Sequence, residues 1–174
     1  MLWWLKKMFK NPKAIGSVTR SSKFLAERMT NSIKSSDTVL EMGPGDGAIT
    51  DLILKKLDSP TRLTLVESDD DFHAICREKF SSCNCIKGDV QKFLTGNPTA
   101  YDAIVSGIPF ANMPKETRLQ AFRLIKNSLH QDGRFIMFQY SLTSLEELKS
   151  IFKSVETDLV PLNIPPAFVY TCRA

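Results

Sequence analysis

The residues that carry most chemical information lie between Glu41 and Gly47. There Glu41-Met42-Gly43-Pro44-Gly45-Asp46-Gly47 joins a short apolar run to the start of an amphipathic one. Glycines at such a junction let the backbone turn sharply and approach a ligand more closely than a side chain would allow. The helix N-terminus that follows offers unpaired N–H donors. A phosphate-binding turn of this kind is spaced Gly-x-Gly-x-x-Gly, whereas here the third glycine, Gly47, comes one residue early. With Glu41 two residues ahead of Gly43, the turn suits a cationic ligand group better than a pyrophosphate. Glu67 stands 22 residues beyond Gly45, where an acidic side chain at a strand end can accept hydrogen bonds from both hydroxyls of a ribose. Asp89, directly after Gly88, can accept from an exocyclic amine such as that of adenine. Ser106-Gly107-Ile108-Pro109-Phe110 then combines a small polar side chain, a flexible backbone, a carbonyl held by the following proline and an aromatic ring. An aromatic face stabilises a passing cation by about 0.5–2 kcal/mol. Tyr140, after Gln139, is a second aromatic, while neither His73 nor His130 adjoins any of these motifs.

These residues need strands that end side by side. From Thr38 onward β-rich runs alternate with helical ones: strand Thr38–Met42, helix Asp46–Leu57, strand Arg62–Glu67, helix Asp70–Phe80, strand Asn84–Lys87. The pattern continues with a helix at Val90–Leu94, a strand at Tyr101–Ser106, a helix at Lys115–Leu129, a strand at Arg134–Tyr140 and a helix at Ser144–Ser154. Such alternation predicts an α/β fold with a mostly parallel sheet of seven strands. In sheets of this type ligands bind outside the carboxyl ends of the strands, where the polar residues above fall. Asp158–Leu162 and Ala167–Arg173 flank Pro165-Pro166 with no room for a helix, which predicts an antiparallel C-terminal hairpin.

With 174 residues, the chain is long enough to bury roughly 70% of its unfolded surface as one domain. No apolar run approaches the ~20 residues of a membrane span, and the opening run is too short for a secretory signal, so a cytoplasmic chain is expected. Four cysteines without a Cys-x-x-Cys pair support neither a metal site nor a disulfide framework. The net charge of +4 is unevenly spread: residues 1–34 carry +7 and the remainder −3. On a helical wheel Leu2, Trp4, Leu5, Met8 and Phe9 share one arc, with Lys6, Lys7, Lys10 and Lys13 opposite. A basic amphipathic helix bearing tryptophan suits the plane of a lipid interface, an anionic membrane surface above all. Four lysines there supply about 4 kcal/mol, a millimolar dissociation constant, so apolar insertion must supply the rest. Docking of this helix on its own domain and binding to nucleic acid are the alternatives. Asn11-Pro12 ends it, residues 12–20 read as a hinge, and Ser21 or Ser22 caps a second helix through about Lys34. The expected division is 1–34, a basic N-terminal appendage, and 35–174, a ligand-binding domain.

The ordered set Glu41–Gly47, Glu67, Gly88-Asp89 and Ser106–Phe110 resembles the motifs of class I S-adenosylmethionine-dependent methyltransferases, and the terminal hairpin fits their Rossmann-like fold. Within that class the chain is similar to the bacterial phospholipid N-methyltransferases. The likeness is carried by Asn11-Pro12-Lys13, Ser21-Ser22, Ser106–Phe110, Phe138-Gln139-Tyr140-Ser141 and Asn163-Ile164-Pro165-Pro166-Ala167-Phe168-Val169-Tyr170. The resemblance implies S-adenosyl-L-methionine as cofactor, with Glu41 and the Gly43–Gly47 loop toward its methionine and sulfonium part. It also implies Glu67 on the ribose, Asp89 on the adenine amine, and Ser22 and Ser106 lining the pocket. The rRNA adenine dimethyltransferases are similar too, through Ser22-Lys23-Phe24-Leu25 and Gly107–Phe110, where they usually carry Asn-Leu-Pro-Tyr. Here Gly107 replaces the asparagine amide that would grip an adenine amine, and Thr19-Arg20 stands where the phospholipid enzymes commonly have proline.

The resulting expectation is a monomeric, monotopic enzyme on the inner leaflet of the cytoplasmic membrane. It would methylate the amine of phosphatidylethanolamine, continuing stepwise to phosphatidylcholine. A primary amine has an unperturbed pKa of ~10.4, so the site must select the neutral form or remove its proton. Without a well-placed histidine, proximity and desolvation carry that step, with Ser106, the Ile108 carbonyl and Tyr140 orienting the amine and Phe110 facing the developing charge. An RNA adenine N6-methyltransferase is the alternative enzyme. Gly107, the acidic body and the lack of a further RNA-binding domain after residue 174 weigh against it. A catalytically silent, cofactor-binding membrane adaptor is the alternative of another class.

Overall fold

The computed structural model describes residues 22–174. Its elements are α1 (Lys23–Thr30), β1 (Val39–Met42), α2 (Thr50–Leu54), β2 (Leu63–Glu67), α3 (Asp70–Lys79), β3 (Asn84–Lys87) and α4 (Val90–Gly96). These are followed by β4 (Tyr101–Ser106), α5 (Lys115–Asn127), β5 (Leu129–Gln139), α6 (Leu145–Ile151), β6 (Ser154–Val160) and β7 (Ala167–Arg173). The strands form one seven-stranded sheet in the order β3-β2-β1-β4-β5-β7-β6. Pairing is parallel from β3 to β5, whereas β7 runs antiparallel to both β5 and β6. The expected α/β architecture and its C-terminal hairpin are therefore present. The strand order reverses between β1 and β4, which opens a ligand crevice at their carboxyl ends.

Alternation along β1 explains how that crevice is built. Val39 packs with Leu25, Met29 and Ile53 on one face, while Leu40 and Met42 pack with Ile104, Phe122 and Phe135 on the other. A strand covered on both faces is expected to be apolar throughout, yet Glu41 sits in it, fully buried. Helix α1 contributes Leu25, Ala26 and Met29 to the first face, so this part of the 1–34 segment is packed on the sheet. Ser22 caps it, its Oγ accepting from the Leu25 N–H at 3.2 Å. The expected amphipathic helix and hinge within residues 1–20 lie outside the described residues.

Several boundaries differ from expectation. The helix foreseen at Asp46–Leu57 shrinks to Thr50–Leu54, because three positive-φ glycines and a Pro44-to-Gly47 turn occupy the preceding stretch. The strand foreseen at Arg134 begins at Leu129, where Tyr101 of β4 pairs with it, and the helix before it stops at Asn127. The last helix ends at Ile151, and β6 runs from Ser154 to Val160 instead of Asp158–Leu162. Pro161 has no N–H to extend the ladder, while Ser154, Val155 and Glu156 find partners on β7.

Candidate cofactor and acceptor site

Beyond the last strand residues the ladder continues into the loops. The Gly43 N–H donates to the Val66 carbonyl, Gly88 to Glu67 and Gly107 to Met42. These bonds hold the three motif loops, at the carboxyl ends of β1, β3 and β4, to the strands beside them. Gly45 has φ +59°, and a Cβ built there meets nothing within 4 Å, so the turn leaves open space above it. Gly43 and Gly107 serve close approach. A Cβ at Gly43 would lie 3.2 Å from Ile108 Cγ1, and one at Gly107 would lie 3.2 Å from the Gly43 carbonyl. Gly47, expected to line the cofactor, serves packing instead, since a Cβ there would lie 2.4 Å from the Phe80 ring. That glycine lets the turn seat on the end of α3. The Cys76 thiol supports the same turn, donating to the Gly45 carbonyl at 3.7 Å. Burial pushes that thiol up to about 12, so it stays protonated as a donor.

Glu67 is buried at the mouth of this turn. Its Oε1 accepts from the Ser68 and Asp69 N–H groups at 2.7 and 2.9 Å, and its Oε2 from the Gly45 N–H at 3.2 Å. The carboxylate is thereby fixed in orientation with lone-pair capacity remaining on Oε2. Asp89 is exposed and caps α4, with Oδ1 accepting from the Lys92 N–H at 3.0 Å, which leaves Oδ2 outside that bond. Glu41 points into the layer under α2, where the Thr50 hydroxyl donates to its Oε2 at 2.7 Å. Burial pushes the Glu41 carboxyl up to about 8; the Thr50 bond opposes this, and the Glu67, Asp51 and Asp46 carboxylates add to it. Thr50 was not legible as a site residue, although a hydroxyl nine residues after a strand glutamate, at a helix start, is the available signal.

On the acceptor side, Ser106 is fully buried, and its Oγ accepts from the Ile108 N–H at 3.1 Å. It shapes the loop from below. The Ile108 carbonyl accepts from Gln139 Nε2 at 3.2 Å, and Gln139 Oε1 accepts from the Ala111 N–H at 3.1 Å. Gln139, for which its sequence neighbours suggest no role, thus clamps the whole loop to the end of β5. A carbonyl has two lone pairs, and the Phe110 N–H takes the second at 3.0 Å, so the Ile108 carbonyl, expected to orient the amine, is engaged within its own loop instead. Phe110 departs from expectation: its ring is 2% exposed and packs on Phe122 at 5.0 Å and edge-on to Phe135 at 6.0 Å. The aromatic face expected in the pocket is instead spent on the core. Phe110→Leu should therefore lower unfolding stability by ~1–2 kcal/mol in urea titrations while leaving cofactor affinity within twofold. Tyr140 stays on the rim, half exposed, its ring edge-on to Phe138 at 5.7 Å. Its hydroxyl is bonded by Asn163, and burial raises its pKa, so near neutrality it is a hydrogen-bonding group and not a base.

Asn163 is the third residue whose role escaped the sequence, after Thr50 and Gln139. Buried in the β6–β7 loop, its Oδ1 accepts from the Ser22 N–H at 3.2 Å, and its Nδ2 donates to the Pro165 carbonyl at 2.7 Å. Ser22 therefore reaches the rim through its backbone, with its hydroxyl engaged in the helix cap. Among the described residues no group of His, Cys, Asp and Glu could hold a metal ion.

A Rossmann-like sheet with an antiparallel last pair, an open glycine turn and an oriented acid at the end of β2 defines a class I S-adenosylmethionine-dependent methyltransferase. The family model described as ribosomal RNA adenine dimethylase matches residues 9–153, and the chain belongs to that family. S-adenosylmethionine fits the site through the open turn at Gly45, the buried acceptor Glu67 and the Oδ2 of Asp89. When bound, it supplies an electrophilic methyl group on a sulfonium centre. The chain is 31% identical over 98% of its length to an ornithine lipid N-methyltransferase from Singulisphaera acidiphila, covering 94% of that enzyme. It is also 32% identical over 63% of its length to the ribosomal RNA small subunit methyltransferase A of Chlorobaculum parvum, spanning 38% of that protein. Among solved structures, the fold matches the Burkholderia thailandensis 1,6-didemethyltoxoflavin-N1-methyltransferase, which holds its substrate and S-adenosylhomocysteine. That match has a TM-score of 0.76 at 13% identity, over 98% of this chain and 84% of the other.

Proposed function

We propose that this methyltransferase acts on the primary amine of a membrane lipid headgroup, with phosphatidylethanolamine as acceptor and stepwise addition toward phosphatidylcholine. An ornithine lipid offers the same amine chemistry and is the competing acceptor. The observation that carries the reading is the full-length likeness to a lipid N-methyltransferase, against partial likeness to the rRNA enzymes. Gly107 supports it. The position is packed against the Gly43 carbonyl, so an asparagine amide there would have to displace backbone.

The chain's own groups act by binding and orientation. Glu67 and Asp89 hold the cofactor, and the Tyr140 hydroxyl on the rim orients the acceptor amine. None of them accepts the amine proton, so the site selects the neutral amine; the acceptor side, residues 104–114 and 135–145, carries no charged side chain, which favours that form. Location at the inner leaflet of the cytoplasmic membrane, assisted by the basic residues 1–20, is part of the proposal.

The test supplies labelled S-adenosylmethionine with vesicles containing phosphatidylethanolamine, vesicles containing an ornithine lipid, or RNA. Label is expected in the first lipid. Label confined to the ornithine lipid would change the acceptor, and label in RNA alone would overturn the reading.

A further inference from the structure

The loops around the mouth divide by charge. On the β1–β2–β3 side they carry Asp46, Glu67, Asp69 and Asp89. On the β4–β5–β7 side they carry none: residues 104–114, 135–145 and 159–172 contain no Asp, Glu, Lys or Arg in a chain that is 24% charged. All three runs reach the same end of the sheet. Gln139 at the end of β5 pairs with Phe168, which pairs with Leu159, so the 161–166 loop emerges beside Tyr140. At that end Leu162 and Ile164 are 61% and 76% exposed, with Leu142 and Tyr140 also exposed. Surface leucines and isoleucines are ordinary singly, but a charge-free cluster of them at one edge marks a contact surface.

We propose that the 161–166 loop, with Leu142 beside it, is a membrane-docking surface that enters the polar–apolar interface of a lipid bilayer and sets the mouth of the site at headgroup level. The occupant is argued from where the chain leads. Ser22, the first described residue, donates its N–H to Asn163, which stands between Leu162 and Ile164. The sequence that ends there, residues 1–21, holds five cations and no acid, together with Trp3, Trp4 and Phe9. A basic, tryptophan-bearing segment joined to an uncharged apolar loop matches the layered chemistry of an anionic lipid surface. Asn163 also explains how exposed apolar residues keep a fixed presentation: its side chain ties the loop to itself and to the start of α1. The acidic half of the rim lies on the β1–β2–β3 side, away from the inserted edge.

This surface rests on the lipid-acceptor reading, and its test is made independent of methyl transfer. Sedimentation with phosphatidylcholine–phosphatidylglycerol vesicles, which carry no primary amine, measures partitioning of the intact chain. The comparison is with Leu162→Ser/Ile164→Ser and with Ile75→Ser, an exposed apolar residue of α3. The double variant is expected to partition at least tenfold less, with Ile75→Ser and the affinity of each variant for S-adenosylhomocysteine within twofold of the parent. Equal partitioning of the double variant and the parent overturns the proposal. So does conversion of a dimer to a monomer with unchanged partitioning, which would make the patch a self-interface. Loss of partitioning in a chain that methylates no lipid would sustain the docking surface while sinking the acceptor assignment.

Discussion

Glu67→Ala is expected to weaken S-adenosylhomocysteine binding by a factor of 100 or more in calorimetric titration, the largest effect of any single substitution in the cofactor site. A hydrogen bond to a charged group contributes about 1.5–3 kcal/mol, and the acceptor site left on Oε2 faces the ribose hydroxyls of the ligand in the proposed arrangement. The residue also organises the turn it serves, since its oxygens accept from the Gly45, Ser68 and Asp69 N–H groups. Removing it releases three backbone donors and loosens the loop over which the ligand lies. Asp89→Ala should cost far less, about tenfold, because Asp89 is exposed and one of its oxygens already caps α4. Losses within threefold of each other in the two variants would mean that the buried acid is not the ribose ligand.

The sheet and the cofactor turn were readable because their signals are local. Short β-rich runs alternating with helical ones marked the strands, and three glycines in five residues have few structural explanations besides a tight turn beside a ligand. What escaped were side chains whose partners are remote in sequence. Gln139 clamps Ile108 and Ala111 from about thirty residues away, and Asn163 reaches Ser22 across 141. Nothing in a window of sequence distinguishes either amide from a solvated one. Phe110 and Gly47 failed in the opposite direction: each stands in a motif that suggests ligand contact, and each is consumed by packing, Phe110 by Phe122 and Phe135, Gly47 by Phe80. A motif records that a residue type is needed at a position. Which neighbour needs it becomes visible only once the layers are stacked.

Glu41 supplies the second large effect, and its sign follows from linkage. The folded carboxyl is pushed up to about 8, chiefly by burial, from 4.5 in the unfolded chain. Below pH 4.5 both states hold the proton, and the group exerts no pull toward unfolding. Between pH 4.5 and 8 the unfolded chain releases the proton while the folded chain keeps it. Stability then falls by about 1.36 kcal/mol per pH unit, toward a loss of ~5 kcal/mol near pH 8. Above that the folded carboxyl ionises as well and the decline stops. Glu41→Gln has the same shape, cannot ionise, and keeps an oxygen for the Thr50 hydroxyl. Urea unfolding of variant and parent should coincide near pH 4.5 and diverge as pH rises, the variant becoming the more stable by ~2–5 kcal/mol at pH 8. Other carboxylates titrate in this range too, so the difference between the two chains, and not the slope of either, reports Glu41. A difference that stays constant from pH 4.5 to 8 would place an ionised glutamate inside the sheet, and the Thr50 bond would then be a charge-bearing contact instead of a tether on a neutral acid.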